Sequence, residues 1–380
     1  MIDDAFITKT LADLVKINSV NPALEKGAPG EAEIGTYIFN ILSSLNFECT
    51  INTISPGRVN LVAKRRGSGN GQSLMLNAHM DTVGVEGMAN PFGSVIRDGK
   101  LYGRGAYDMK GSIAAILGMA KIVSENNINL SGDLILTFVA DEEHESLGAF
   151  ELIKNIKADA CIVTEPTDLK ICLGHRGFGV YEITTEGKVA HGGLHREGVD
   201  ANLKMGLVLY ELNQLSKQLS SENTHPLFGE RSLHVPLING GQSLFIYAGA
   251  CTAHVERRTL PGETQVEVFE ELQNMLRQLN KQDKSFKATL KQKIWRDPYE
   301  IKRESKIVDV LNKSVLPYCA PEYIGHTWWE DSGIFGAAGI PTVIIGPKGG
   351  GIHQHEEWVD LESVYNLTGI LLKTATNFCQ

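Results

Sequence analysis

Carboxylates and imidazoles recur at the ends of the apolar runs of this chain. Leu74-Met75-Leu76-Asn77-Ala78 leads into His79-Met80-Asp81. A histidine and an aspartate two apart face the same side wherever a strand continues. That suits an imidazole metal ligand with a carboxylate to orient it, the plainer alternative being a surface His-x-Asp. Gly103-Arg104-Gly105-Ala106-Tyr107-Asp108-Met109-Lys110-Gly111 is a glycine-rich turn before a helical stretch. No GxGxxG follows a strand there, which argues against a dinucleotide site. Asp108 is then either a helix N-cap or a carboxylate bridging two cations. Ala140-Asp141-Glu142-Glu143 ends another apolar run. Three consecutive acids repel one another unless they are solvated or countered by cations. On an extended backbone Glu142 and Glu143 point opposite ways, so one can ligate while its neighbour carries a proton. Glu165 follows a further run just before Pro166, and His353 and His355 follow the last, beyond Gly346-Pro347-Lys348-Gly349-Gly350-Gly351. No Gly-Lys-Ser/Thr occurs in that segment, so it is not a P-loop.

Nitrogen and oxygen donors without thiolates suit zinc, cobalt or manganese in a hydrolytic site. A pair of such ions, typically ~3.5–4 Å apart, needs a bridging carboxylate and a bridging water. Zinc lowers the pKa of bound water to about 7 and so supplies hydroxide at neutral pH. A free glutamate then takes the water's proton and returns it to the leaving nitrogen.

The elements that must hold these residues alternate. Ile34, Tyr37, Ile38, Ile41, Leu42 and Leu45 recur at helical spacing and predict an amphipathic helix over 31–45. Apolar runs at 59–63, 73–78, 134–140, 160–163 and 341–345 read as strands, with helices at 112–125 and 147–156 between them. Strands alternating with helices predict an α/β layer with a largely parallel sheet, and ligand sites in such sheets form just beyond the strand ends. The middle of the chain differs. A half-exposed strand at 179–186, a helix at 199–219, strands at 232–238 and 251–259, a helix opened by the capping box Thr264-x-x-Glu267 and a strand at 286–294 give the order β-α-β-β-α-β of a ferredoxin-like sandwich. The chain thus divides into residues 1–176 with 296–380, and an inserted domain of 177–295.

A length of 380 residues exceeds what one core usually spans, in keeping with two domains. With 42% hydrophobic and 21% charged residues the chain is neither disordered, collagenous nor a coiled coil. A net charge of −9 argues against a nucleic-acid partner. No apolar run reaches the ~18 residues of a transmembrane helix, and the start lacks the basic and apolar regions of a signal peptide. The six cysteines lie far apart without a CxxC, which predicts reduced thiols in a cytoplasmic protein.

In order along the chain, His79-Met80-Asp81, Gly103-Arg104-Gly105-Ala106-Tyr107-Asp108-Met109-Lys110-Gly111, Asp141-Glu142-Glu143, Thr164-Glu165-Pro166 and Gly339-Ile340-Pro341 with His353 resemble the motifs of one family. It comprises the dinuclear zinc hydrolases that include acetylornithine deacetylase, succinyl-diaminopimelate desuccinylase, aminoacylase and carboxypeptidase G. The resemblance covers nearly the whole chain. It implies a phosphorylase/hydrolase-like α/β catalytic domain with an inserted ferredoxin-like α+β lid and dimerisation domain. It makes His79 and Glu165 ligands of one metal, Glu143 and His353 ligands of the other, and Asp108 the bridge. Asp81 would orient His79, and Glu142 would be the general base and acid. His353 fits the family spacing to Glu357, and His355 is its rival. Within the inserted domain, Ala190-His191-Gly192-Gly193 matches the motif whose histidine, in some members, reaches across a homodimer to the substrate carbonyl. Arg258 falls where the family grips a substrate carboxylate. The family's Asn-x-x-Pro is replaced here by Phe245-Ile246-Tyr247-Ala248, and Trp328-Trp329-Glu330-Asp331 stands for a Thr-Asp type segment. The resemblance implies two divalent ions per subunit, zinc first and cobalt or manganese as alternatives. The expected reaction is hydrolysis of an N-acyl amino acid by a metal-bridged hydroxide. A dipeptidase or carboxypeptidase of the same family is the nearest alternative, and a non-catalytic binding protein on the same fold is the alternative of another class.

Overall fold

The computed structural model describes residues 2–222 and 224–380. Two compact units make up the chain: Met1–Gly174 with Ile301–Ile324 and Glu330–Gln380, and His175–Glu300 with Gly325–Trp329.

The first unit is built on a mixed sheet. Its order runs Glu48–Ser55, Arg58–Arg65, Leu134–Val139, Leu74–His79, Ala160–Val163, Thr342–Ile344, Ile171–His175. The four central strands, from Leu134–Val139 to Thr342–Ile344, are mutually parallel and the outer ones antiparallel. Leu74–His79 and Leu134–Val139 are buried along their whole length, which fits continuous apolar runs covered on both faces. Helix Gly111–Glu125 is buried nearly all round and packs against Asp4–Lys16 and Leu361–Phe378. Ala32–Ser44 buries Ile34, Ile38 and Leu42, the stripe its periodicity predicts. Because His79 pairs with Val139 and Asn77 with Val163, the parallel strands end along one edge. Ligand sites of open α/β sheets form at such an edge. A small antiparallel sheet of Val95–Arg97, Lys100–Tyr102, Trp358–Asp360 and Gly349–Gly350 joins the segment around His353 to the glycine-rich turn.

The second unit is a four-stranded antiparallel sheet in the order Ser232–Gly240, Ala250–Thr259, Gly177–Glu186, Ala288–Arg296, the pairing of a ferredoxin-like sandwich. Alternate residues of Gly177–Glu186 are buried. Their face meets helices Ala201–Ser221 and Gln265–Gln282 in a core of Tyr181, Ile183, Met205, Leu212, Val255 and Leu272. The second helix opens with its capping box formed in both directions, Thr264 N donating to Glu267 Oε2 at 2.9 Å and Glu267 N to Thr264 Oγ1 at 3.3 Å.

Candidate functional site

Seven of the residues that sequence reasoning singles out gather in the first unit. The strand Leu74–His79 ends on His79, which is 2% exposed. Its Nδ1 lies 2.9 Å from the carbonyl of Asp81 and 3.6 Å from that residue's carboxylate. Here the expected geometry is corrected: the strand stops at His79, and Asp81 orients the ring first through its main chain. His79 Nε2 lies 3.0 Å from Asp108 Oδ1 and 3.5 Å from Glu165 Oε1. The other oxygen of Asp108, Oδ2, is 3.2 Å from His353 Nε2, and Glu143 Oε2 is 3.1 Å from the same nitrogen. His355 instead lines a separate surface pocket beside Met88 and Arg97.

Asp108 is not an N-cap. The helix Gly111–Glu125 has Lys110 at its N-cap position without a side-chain cap, and Asp108 sits before it in a kinked, non-helical backbone at φ −116° and ψ 92°. Glu142 and Glu143 also depart from the extended backbone expected of them. They occupy a turn after Asp141, which stands at a left-handed φ of 71°. The turn nevertheless separates them. Glu142 groups with His79 and Glu165, and Glu143 with His79 and Asp108, each trio offering ligand atoms within 4.8 Å of one another.

The electrostatics follow from packing acids together out of water. Burial, and next the charge of Glu165, push the Glu142 carboxyl well above the usual range. Burial does the same to Glu165, and it raises Glu143 to about 7 with help from Asp108. Burial disfavours a charged His79, yet Glu165, Asp108 and Asp81 outweigh it and hold the imidazole well above its ordinary value. Asp108 and Glu143, accepting hydrogen bonds from the ring, raise His353 to about 10. Glu143 Oε1 is buried and has no hydrogen-bond partner among the described residues. Crowded carboxylates drawing protons, and an orphaned buried oxygen, are what divalent cations relieve, so the donor set fits a metal centre.

Sequence reasoning used Glu357 only as a spacing mark. The structure gives it a larger part. One carboxylate accepts from Arg104 Nη1 at 2.7 Å, Gly105 N at 3.0 Å, Tyr107 N at 2.9 Å and Asp108 N at 3.0 Å, so it clamps the glycine-rich turn that carries Asp108. Gly105 holds φ 76° there, and a Cβ would lie 2.7 Å from Thr82 Cγ2, so only glycine fits. Glu357→Ala leaves the buried Arg104 without its carboxylate, with only the carbonyls of Gly84 and Gln354 to accept from it. We expect a loss of about 3–5 kcal/mol in chemical denaturation, and a variant of wild-type stability would remove the clamp. The remaining residues missed were Asn21, Glu31 and Arg58, buried on the far side of Asp81. An arginine opening the apolar strand Arg58–Arg65 was the available signal.

His191 and Arg258 belong to the second unit. His191 is exposed, and its Nδ1 accepts from Gly193 N at 3.1 Å. Arg258 donates from Nε to Glu256 Oε1 at 2.6 Å and stacks 4.9 Å from the Phe178 ring centre. Its neighbour Arg257 is fully buried between Glu263 and Glu271 and is structural.

Comparison with known proteins accords with this geometry. The profile of Peptidase family M20/M25/M40 matches residues 75–377. Acetylornithine deacetylase of Buchnera aphidicola (subsp. Schizaphis graminum) is 28% identical over 98% of this chain and 97% of its own length. N-formyl-4-amino-5-aminomethyl-2-methylpyrimidine deformylase of Bacillus subtilis is 29% identical over 91% of this chain and 89% of its own. Among solved structures, a dinuclear metal-binding peptidase of the M20 family from Bacillus subtilis superposes with a TM-score of 0.77 at 17% identity, over 99% of each chain. A cluster of acids around two imidazoles, gathered beside the carboxyl ends of the parallel strands in a chain whose sequence matches that profile over most of its length, makes this protein a member of peptidase family M20/M25/M40 and a hydrolase of amide bonds.

Proposed function

We propose that the chain hydrolyses the amide bond of an N-acyl amino acid, with two divalent ions held at the clustered site. The observation that carries the metal reading is Asp108, whose two oxygens lie 3.0 Å from His79 and 3.2 Å from His353. One carboxylate facing two imidazoles is the geometry of a bridge. His79 and Glu165 would hold one ion, Glu143 and His353 the other, with zinc the first choice for mixed nitrogen and oxygen donors and cobalt or manganese also compatible. The ions would supply a Lewis acid for the scissile carbonyl and acidify the attacking water.

The side chains do the rest. Glu142 takes the proton of the attacking water and delivers it to the leaving nitrogen, while Asp81 fixes the ring of His79. As the family resemblance implies, His191 would donate to the carbonyl oxygen from across a homodimer as charge develops on it, and Arg258 would grip the free carboxylate of the amino acid. Acyl-group removal is favoured over peptide cleavage because two relatives, a deacetylase and a deformylase, remove small acyl groups. A dipeptidase or carboxypeptidase shares all of this chemistry. Hydrolysis of N-acetyl, N-formyl and N-succinyl amino acids beside dipeptides tests the reading. Release of a free amino acid from an N-acyl substrate supports it, and turnover of dipeptides alone defeats it.

The ferredoxin-like unit is proposed as a lid and the seat of a homodimer. Leu203, Leu207 and Tyr210, at i, i+4 and i+7 of Ala201–Ser221, form an exposed apolar stripe. Leu237 and Ile238 are exposed on Ser232–Gly240, an edge strand. Unpaired edges and apolar stripes invite a partner. Light scattering is expected to give twice the chain mass, and Leu203→Glu to halve it; a wild-type monomer rules out a dimer. No helix among the described residues is long and apolar enough to cross a membrane, and the six free cysteines favour the cytoplasm.

A further inference from the structure

Behind the metal-facing side chains runs a buried chain of charges and amides. The Arg58 guanidinium grips Glu31 at 2.7 Å through both Nε and Nη2, and Nη2 also donates to Asp141 Oδ1 at 2.9 Å. Asn21 Nδ2 donates to Asp141 Oδ1 at 2.9 Å and to Asp81 Oδ2 at 2.8 Å. An amide nitrogen carries two hydrogens, so both are committed. Asp81 accepts the main-chain N–H groups of Glu142 at 3.1 Å and Glu143 at 3.2 Å. None of Asn21, Glu31, Arg58, Asp81 and Asp141 is more than 5% exposed.

The hinge of this arrangement is Asp141. Its φ of 71° lies where a non-glycine residue persists only if its surroundings over-determine it. Here they do: Oδ1 takes Asn21 and Arg58, and Oδ2 takes the N–H groups of Glu145 and Leu147 at 3.3 Å each. The bend brings the successive amides of Glu142 and Glu143 onto one carboxylate, a small anion nest. Arg58 offsets the charge of Glu31 and Asp141, and the neutral amide of Asn21 lets Asp81 and Asp141 stand side by side.

We infer that Asn21 and Arg58 are positioning residues: by holding the Asp141 bend and the Asp81 carboxylate, they set where Glu142 and Glu143 enter the site. They touch no reacting atom. The inference rests on the proposed roles of Glu142 and Glu143.

Asn21→Leu, of similar volume, removes both donated hydrogen bonds. The expected result is kcat lower by about 10–100-fold with KM little changed. Metal content stays full, and the absorption spectrum of the cobalt-substituted protein shifts as Glu143 is displaced. Wild-type kcat, or activity falling only in step with the folded, metal-loaded fraction, overturns the inference. Asp141→Gly guards against an unfolded first variant, because glycine keeps φ 71° without strain while the ties to Asn21 and Arg58 are lost. It should reproduce the loss of kcat, and wild-type kcat in that variant also overturns the inference. Wild-type protein that binds no metal removes the premise itself, which separates the two failures.

Discussion

Glu142→Gln is expected to keep the fold and the full metal content while lowering kcat by about three orders of magnitude, within the ~10²–10⁴-fold range for loss of a general base. The substitution conserves volume and removes only the capacity to accept a proton. Its main chain is fixed independently of its side chain, since the N–H donates to Asp81 Oδ1 at 3.1 Å. The backbone therefore has no reason to move. The competing reading is concrete, because Glu142 lies with His79 and Glu165 in a trio able to ligate. A ligand would be lost with its metal, whereas a proton carrier is lost with the metal retained. Metal analysis beside single-turnover kinetics decides between them. Full metal with little turnover supports the proton carrier; equal loss of both makes Glu142 a ligand, and unchanged turnover denies it either role.

Much of this cluster was legible because binding sites in open α/β sheets form where apolar strands end, and strand ends are readable from periodicity. His79, Glu165 and Asp141 to Glu143 each follow a run of Met, Ile, Leu or Val that structure buries completely. What escaped was long-range. Nothing local joins Glu357 to the amides of Tyr107 and Asp108, 250 and 249 residues away. Nothing local joins Arg58 to Glu31 either, and each became readable only once the sheet had brought them together. Helix Asp4–Lys16 was missed as well, although Ile7, Leu11, Leu14 and Val15 follow helical spacing behind the N-cap Asp3. The turn at Asp141 failed differently, since an extended backbone was assumed past the end of a strand and the chain bends there instead.

Exhaustive dialysis against a chelator is expected to abolish turnover and to lower Tm by on the order of 5–10 °C, the size expected when a ligand held ~1,000-fold above its Kd is withdrawn from a large chain. Zinc or cobalt should restore both. The stability effect has its origin in the acids. Asp108, Glu142, Glu143 and Glu165 crowd around His79 and the half-exposed His353, and burial first, with neighbouring carboxylates adding to it, drives three of those carboxyls upward. Without cations they settle by taking protons, and the orphaned Oε1 of Glu143 stays unsatisfied. Asp108→Ala separates this account from a general effect of chelator on the protein. Lacking the carboxylate that faces both imidazoles, it should be inactive before dialysis and show little change in Tm on dialysis or on adding zinc. A variant that regains activity with zinc would show that Asp108 is no bridge. A wild-type Tm indifferent to chelator, with turnover intact, would mean that the crowded carboxyls are held by protons alone and that catalysis runs without metal.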